Sequence, residues 1–144
     1  MADVFSRIRR SEIMSKVKSH GNQATELRLI EIFRNHKIRG WRRRVPVFGS
    51  PDFTFPQARL AVFVDGCFWH SCPVHGSIPA TNRVFWADKL KRNKQRDRLV
   101  RRNLEQSGWF VLRIWQHELR EPAKVARRVG RTLNLCSRRA TNRH

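Results

Sequence analysis

Pro51-Asp52-Phe53-Thr54-Phe55-Pro56-Gln57-Ala58-Arg59-Leu60-Ala61-Val62-Phe63-Val64-Asp65-Gly66-Cys67-Phe68-Trp69-His70-Ser71-Cys72-Pro73-Val74-His75 is the stretch whose reading decides the fold. Asp52-Phe53-Thr54-Phe55 alternates with period two, as a strand does when its two faces differ. Pro56-Gln57 turns the chain. Leu60-Ala61-Val62-Phe63-Val64 is a continuous apolar run, the pattern of a central strand covered on both faces. Residues 65–75 then hold two cysteines, two histidines and two adjacent aromatics in a loop poor in aliphatics.

Working outward, residues 25–35 read as a helix with Leu27, Ile30 and Phe33 on one face. Residues 41–47 are strand-like, but Pro46 confines them to an edge. Gly49-Ser50-Pro51 is a turn. Downstream, Pro79 helps close the loop, and residues 84–107 read as a long helix with Leu90, Leu99, Val100 and Leu104 inward. Gly108 ends it as a C′ residue, residues 109–115 form another apolar strand, and Pro122 opens a basic C-terminal helix. A short helix is expected over 11–17 in an otherwise polar, basic N-terminal segment. Helix, two or three strands, helix, strand, helix is an α/β pattern with one mixed sheet flanked by helices.

The 144 residues are most economically one domain, and 40% of them are hydrophobic, enough for a core. Lys and Arg total 31 against 11 Asp and Glu, a formal charge of +20 that calls for a polyanion to relieve self-repulsion. DNA or RNA fits that need. A membrane does not, because no apolar run approaches the ~20 residues needed to span one. The N-terminus carries no signal core, and three cysteines are too odd a number for a disulfide framework.

Cys67 and Cys72 are separated by four residues, and His75 follows by three. Thiolate and imidazole together suit Zn²⁺, which in structural sites takes four tetrahedral ligands. The fourth must come from a distance: His117, just beyond the strand ending at Trp115, is the natural choice, with Cys136 and His70 as rivals. The bland alternative, two cysteines as small buried hydrophobes, fits an aliphatic-poor loop less well. Pro51-Asp52 entering a hairpin matches the first half of a restriction-type nuclease motif. The acidic-x-Lys triplet that should follow is absent, because the next strand reads Val62-Phe63-Val64-Asp65. His70 could serve as the missing base, since histidine titrates near neutral pH.

Residues 65–75, Pro51-Asp52, Pro79-Ala80-Thr81-Asn82, Phe85-Trp86, Lys89, Asn93 and Arg96-Asp97 together resemble the very short patch repair mismatch endonuclease family. Gly108-Trp109-Phe110-Val111-Leu112 and Ile114-Trp115-Gln116-His117-Glu118-Leu119 extend the resemblance. It implies a restriction-endonuclease-like fold with one structural zinc. It also implies a Mg²⁺-dependent enzyme that nicks double-stranded DNA 5′ to the thymine of a T·G mismatch left by deamination of 5-methylcytosine. By position, Asp52 would bind Mg²⁺ and His70 would activate water. Asp97 would orient His70, and Glu26 would support the water beside the metal. Cys67, Cys72, His75 and His117 match the zinc positions. At position 64 only the backbone carbonyl of Val64 could reach Mg²⁺, which makes Asp65 a further ligand or a residue behind the ligands.

From position 83 to 102 nine residues are Lys or Arg, offset only by Asp88 and Asp97, which favours a phosphate-tracking face. Phe68, Trp69 and Trp86 read as a wedge into the base stack, partly on the resemblance, whereas Trp109 and Trp115 read as core. Met14, Lys89 and Asn93 complete the expected DNA contacts. The implied division is a basic DNA-contacting arm over 1–23, a nuclease domain over 24–135 and a basic tail over 136–144. A monomer in the bacterial cytoplasm, associated with the nucleoid and with other DNA-repair proteins as partners, is the matching expectation. The rival readings are a zinc-stabilised DNA-binding module without catalysis, and a restriction or homing nuclease of the same fold.

Overall fold

A computed structural model describes residues 23–67, 72–73 and 78–141. The short helix expected over 11–17 lies outside them. Helix α1 (Gln23–Asn35) leads into the short edge strand β1 (Arg42–Arg43), then β2 (Phe53–Phe55) and β3 (Leu60–Asp65). Helix α2 (Arg83–Gln106), strand β4 (Phe110–Trp115), a 3-10 helix (Gln116–Arg120) and helix α3 (Pro122–Thr141) complete the order. The sheet runs β1-β2-β3-β4, antiparallel except for the β3–β4 pair, which is parallel and joined through α2. This is the expected α/β architecture with a mixed sheet between helices.

The two sides of the sheet follow from strand parity. Phe53, Phe55, Leu60, Val62, Val64, Leu112 and Ile114 join Leu29, Ile32 and Phe33 of α1 and Val125 and Val129 of α3 in the larger core. Ala61 and Phe63 face the other way, against Val100 and Leu104 of α2. Every residue of β3 is buried, as its unbroken apolar run requires. Phe33 sits at the centre of an aromatic cluster, edge-on to Phe53 and Phe55.

Two helix readings need correction in detail. Leu27 is 49% exposed and Leu99 58% exposed; the inward stripes use Leu29, Ile30, Ile32 and Phe33 on α1, and Trp86, Leu90, Val100 and Leu104 on α2. Each misplaced leucine falls within helical reach of the true stripe, so periodicity alone does not set the face. The end of α2 is as expected: Gly108 has φ +89°, its N–H donates to the Glu105 carbonyl, and the Trp109 N–H donates to that of Leu104. Helix α3 begins at Pro122 and runs unbroken past position 136, whose thiol is buried in the larger core.

Gly49 makes the turn before β2 with φ +82°, and a Cβ there would lie 2.4 Å from a Val100 methyl. Gly49→Ala is therefore expected to destabilise the protein by about 2–4 kcal/mol, the left-handed backbone and the overpacking adding together. Urea unfolding measures it, and a shift below ~0.5 kcal/mol would mean that α2 yields at Val100.

Candidate functional site

The chemistry-bearing residues collect at the C-terminal ends of the parallel pair β3–β4, beneath one half of α2. A 24-residue helix is about 36 Å long, whereas six-residue strands span about 20 Å, so α2 overhangs the sheet. Its contacts with the sheet's second core stop at Val100. The same side of the helix continues through half-buried Asp97 and buried Asn93, Leu90 and Trp86.

Asp52 is buried, and its Oδ2 accepts a hydrogen bond from the Val64 amide at 2.8 Å. Extending the β2–β3 register, in which Phe53 opposes Val62, sets Pro51 opposite Val64. Proline has no N–H, so Pro51 cannot give the Val64 carbonyl its ladder hydrogen bond. In an extended residue the N–H and C=O project to the same edge, which puts that carbonyl on the edge facing Asp52. A carboxylate and an under-used carbonyl are hard oxygen donors of the kind Mg²⁺ takes. The residues fit such an ion.

Asp65 is 2% exposed, and both of its oxygens accept from Arg113 Nη1, at 2.9 and 3.1 Å. That pairing ties the end of β3 to β4. Glu26 is also buried and ion-paired, its Oε2 2.5 Å from Arg43 Nη2 across the α1 side of the sheet. Asp97 is half-buried on α2, with Arg113 Nη2 at 3.7 Å. Arg113 and Arg43 are the members of these networks that reading the sequence missed. Their partners are 48 and 17 residues away in the chain, beyond the reach of any local pattern.

Cys67, Cys72 and His117 converge, their ligand atoms all within 4.8 Å of one another. The His117 Nδ1 lies 3.3 Å from the Cys67 sulfur and 3.6 Å from that of Cys72. A tetrahedral zinc with usual bond lengths would separate sulfur and nitrogen by about 3.6 Å, so the donor set fits zinc. Burial pushes the Cys67 thiol up, a hydrogen bond from the His117 backbone opposes this, and the neighbouring Cys72 raises it further. A divalent cation would offset the burial and hold both sulfurs as thiolates. Cys136, a rival fourth ligand, packs in the core instead, and His117 is the distant residue found beside the two cysteines.

His70, His75, Phe68, Trp69 and Met14 lie outside the described residues. Trp86 is 7% exposed, which corrects the expectation of a ring presented to DNA; its neighbour Phe85, edge-on at 5.2 Å, is 52% exposed. Stripe position decides between them, since Trp86 shares the inward face with Leu90 and Asn93. Lys89 is half-buried, its Nζ 5.5 Å from the Trp86 ring centroid, and Asn93 is buried. The outer face of α2 carries Lys91, Arg92, Lys94, Arg96, Arg98, Arg101 and Arg102, all exposed. Among the described residues no helix is long and apolar enough to cross a membrane.

Comparison with known proteins agrees with this geometry. Residues 2–75 match the model of the family described as DNA mismatch endonuclease Vsr. The Type II nicking enzyme V.XorIIP of Xanthomonas oryzae pv. oryzae is 32% identical over 137 residues, 93% of this chain and 98% of that enzyme. The DNA mismatch endonuclease Vsr of Escherichia coli is 33% identical over 127 residues, 87% of this chain and 80% of that enzyme. The Type II nicking enzyme V.NaeI of Lentzea aerocolonigenes is 51% identical over 77 residues, 54% of this chain but only 46% of that enzyme. The chain belongs to the family of DNA endonucleases described as DNA mismatch endonuclease Vsr.

Proposed function

We propose that the protein nicks one strand of double-stranded DNA on the 5′ side of the thymine in a T·G mismatch. The observation that carries this reading is the buried Asp52 carboxylate, hydrogen-bonded to Val64 on the edge where Pro51 withholds a donor from the Val64 carbonyl. Asp52 and that carbonyl would hold Mg²⁺, which when bound supplies charge neutralisation at the scissile phosphate. His70 takes the proton of the attacking water, Asp97 orients the imidazole, and Glu26 supports that water. Cys67, Cys72, His75 and His117 would hold one zinc. Four protein ligands leave such an ion no open position, so its work is to stiffen the loop that bears His70.

The exposed cations of α2 and the basic N-terminal segment supply sequence-independent attraction to phosphate, and Met14 lies against the groove. Discrimination falls to Phe68 and Trp69 as a wedge, and to Lys89 and Asn93 at the base edges. Unstacking costs about a few kcal/mol per step and less at a mismatch, so the wedge enters more cheaply at a T·G pair. The test is cleavage of matched and T·G duplexes with and without Mg²⁺. One nick 5′ to the mismatched thymine, lost with chelator, is expected. Equal cutting of matched DNA would indicate a restriction-type nuclease, and binding without cutting a non-catalytic module.

A further inference from the structure

Arg113 stands where three elements carrying the site meet. On β4 it lies beside Phe63 of β3, its guanidinium carbon 4.5 Å from the ring centroid. Nη1 donates to both oxygens of Asp65, and Nη2 lies 3.7 Å from Asp97 on α2. Its backbone carbonyl accepts from Arg128 Nη2 at 2.9 Å, and Arg128 Nη1 also holds Glu118 at 2.6 Å. Glu118 in turn accepts from the Trp115 amide, which pins the chain just before His117. Arg113 is thus anchored at its ring face, its fork and its main chain.

So costly an arrangement is not needed to join β3 to β4. Six register pairs and the larger core already do that. A buried ion pair is in any case weak evidence of stabilisation, whereas an Arg–carboxylate contact fixes geometry. On α2, Asp97 lies one turn before Val100, where the helix's packing in the sheet's second core begins. We propose that Arg113 is a positioning residue of the nuclease centre: tied to Asp65 at the end of β3, it sets where Asp97 stands relative to the Asp52–Val64 edge. Its effect on the reaction passes through Asp97. This rests on the roles of Asp52, His70 and Asp97 stated above.

The test compares wild type with Arg113→Met, Arg113→Lys and Asp65→Asn in the full chain. Single-turnover nicking of the T·G duplex at saturating DNA and Mg²⁺ is read beside duplex Kd and zinc content. Arg113→Met is expected to lose about 10²-fold in rate, the scale of a ~1 Å misplacement, with Kd within about threefold and zinc unchanged. Arg113→Lys should recover about tenfold of that loss by restoring the charge without the fork. Asp65→Asn, which keeps the shape of the pair, should lose about tenfold in rate at unchanged Kd and is the reading to use if Arg113→Met does not fold. A wild-type rate in Arg113→Met overturns the proposal. So does a loss in which rate, Kd and zinc fall together in Asp65→Asn, which would make the pair structural only. Wild type that cuts no duplex overturns the functional reading and this proposal with it; wild type that cuts matched DNA leaves the proposal to be read on that substrate.

Discussion

Asp52→Asn is expected to reduce single-turnover nicking by at least ~10³-fold, with duplex binding largely kept. The carboxylate has two oxygens and, in the proposed role, two tasks: Oδ2 accepts from the Val64 amide, and the negative charge binds the cation. A carboxamide has one oxygen and no negative charge, so it can keep the Val64 hydrogen bond but holds a divalent cation far more weakly. The fold should survive, because the Val64 bond can be kept. What is lost is transition-state charge stabilisation worth several kcal/mol, and ~4 kcal/mol is about a thousandfold. Quenched-flow cleavage of a T·G duplex across a Mg²⁺ titration checks it. Nicking within tenfold of wild type would reduce Asp52 to a turn-capping group. His70→Ala should lose ~10²–10⁴-fold while retaining zinc; loss of zinc instead would move His70 into the metal shell.

Cys72→Ala is expected to abolish stoichiometric zinc and to lower stability by more than ~4 kcal/mol, enough to unfold the site and not merely slow it. Cys72 is 2% exposed and its amide donates to the Cys67 carbonyl at 2.9 Å, so the knuckle closes on itself before it reaches His117. Without the metal, the Cys67 thiol and the His117 imidazole keep only their direct contact, 3.3 Å apart. His117→Ala should match it, since that ligand alone ties the loop to the end of β4. Cys136→Ala should keep full zinc and cost only what a small core cavity costs, about 1–2 kcal/mol. Metal analysis with thermal denaturation decides. If Cys136→Ala loses the zinc and His117→Ala keeps it, the assignment is reversed.

The sequence by itself determined what local physics can encode. Period two in Asp52–Phe55 and the unbroken apolar run of β3 specify a hairpin, because side-chain alternation is a property of the strand alone. Gly108 and Pro122 specify where α2 stops and α3 starts, since φ and a missing N–H belong to single residues. Thiolate and imidazole spacing, with a histidine just beyond β4, was enough to bring Cys67, Cys72 and His117 to one cluster. Tertiary structure alone decided which of several helical faces turned inward. Leu29 and Ile32 were buried while Leu27 was not, and Trp86 while Phe85 was not. It also decided the charge partners. Asp65 is held by Arg113, and Glu26 by Arg43, because parallel register and helix docking bring together residues distant in the chain. Burying a carboxylate without a cation would be too costly, so those arginines are part of the site although no motif contains them.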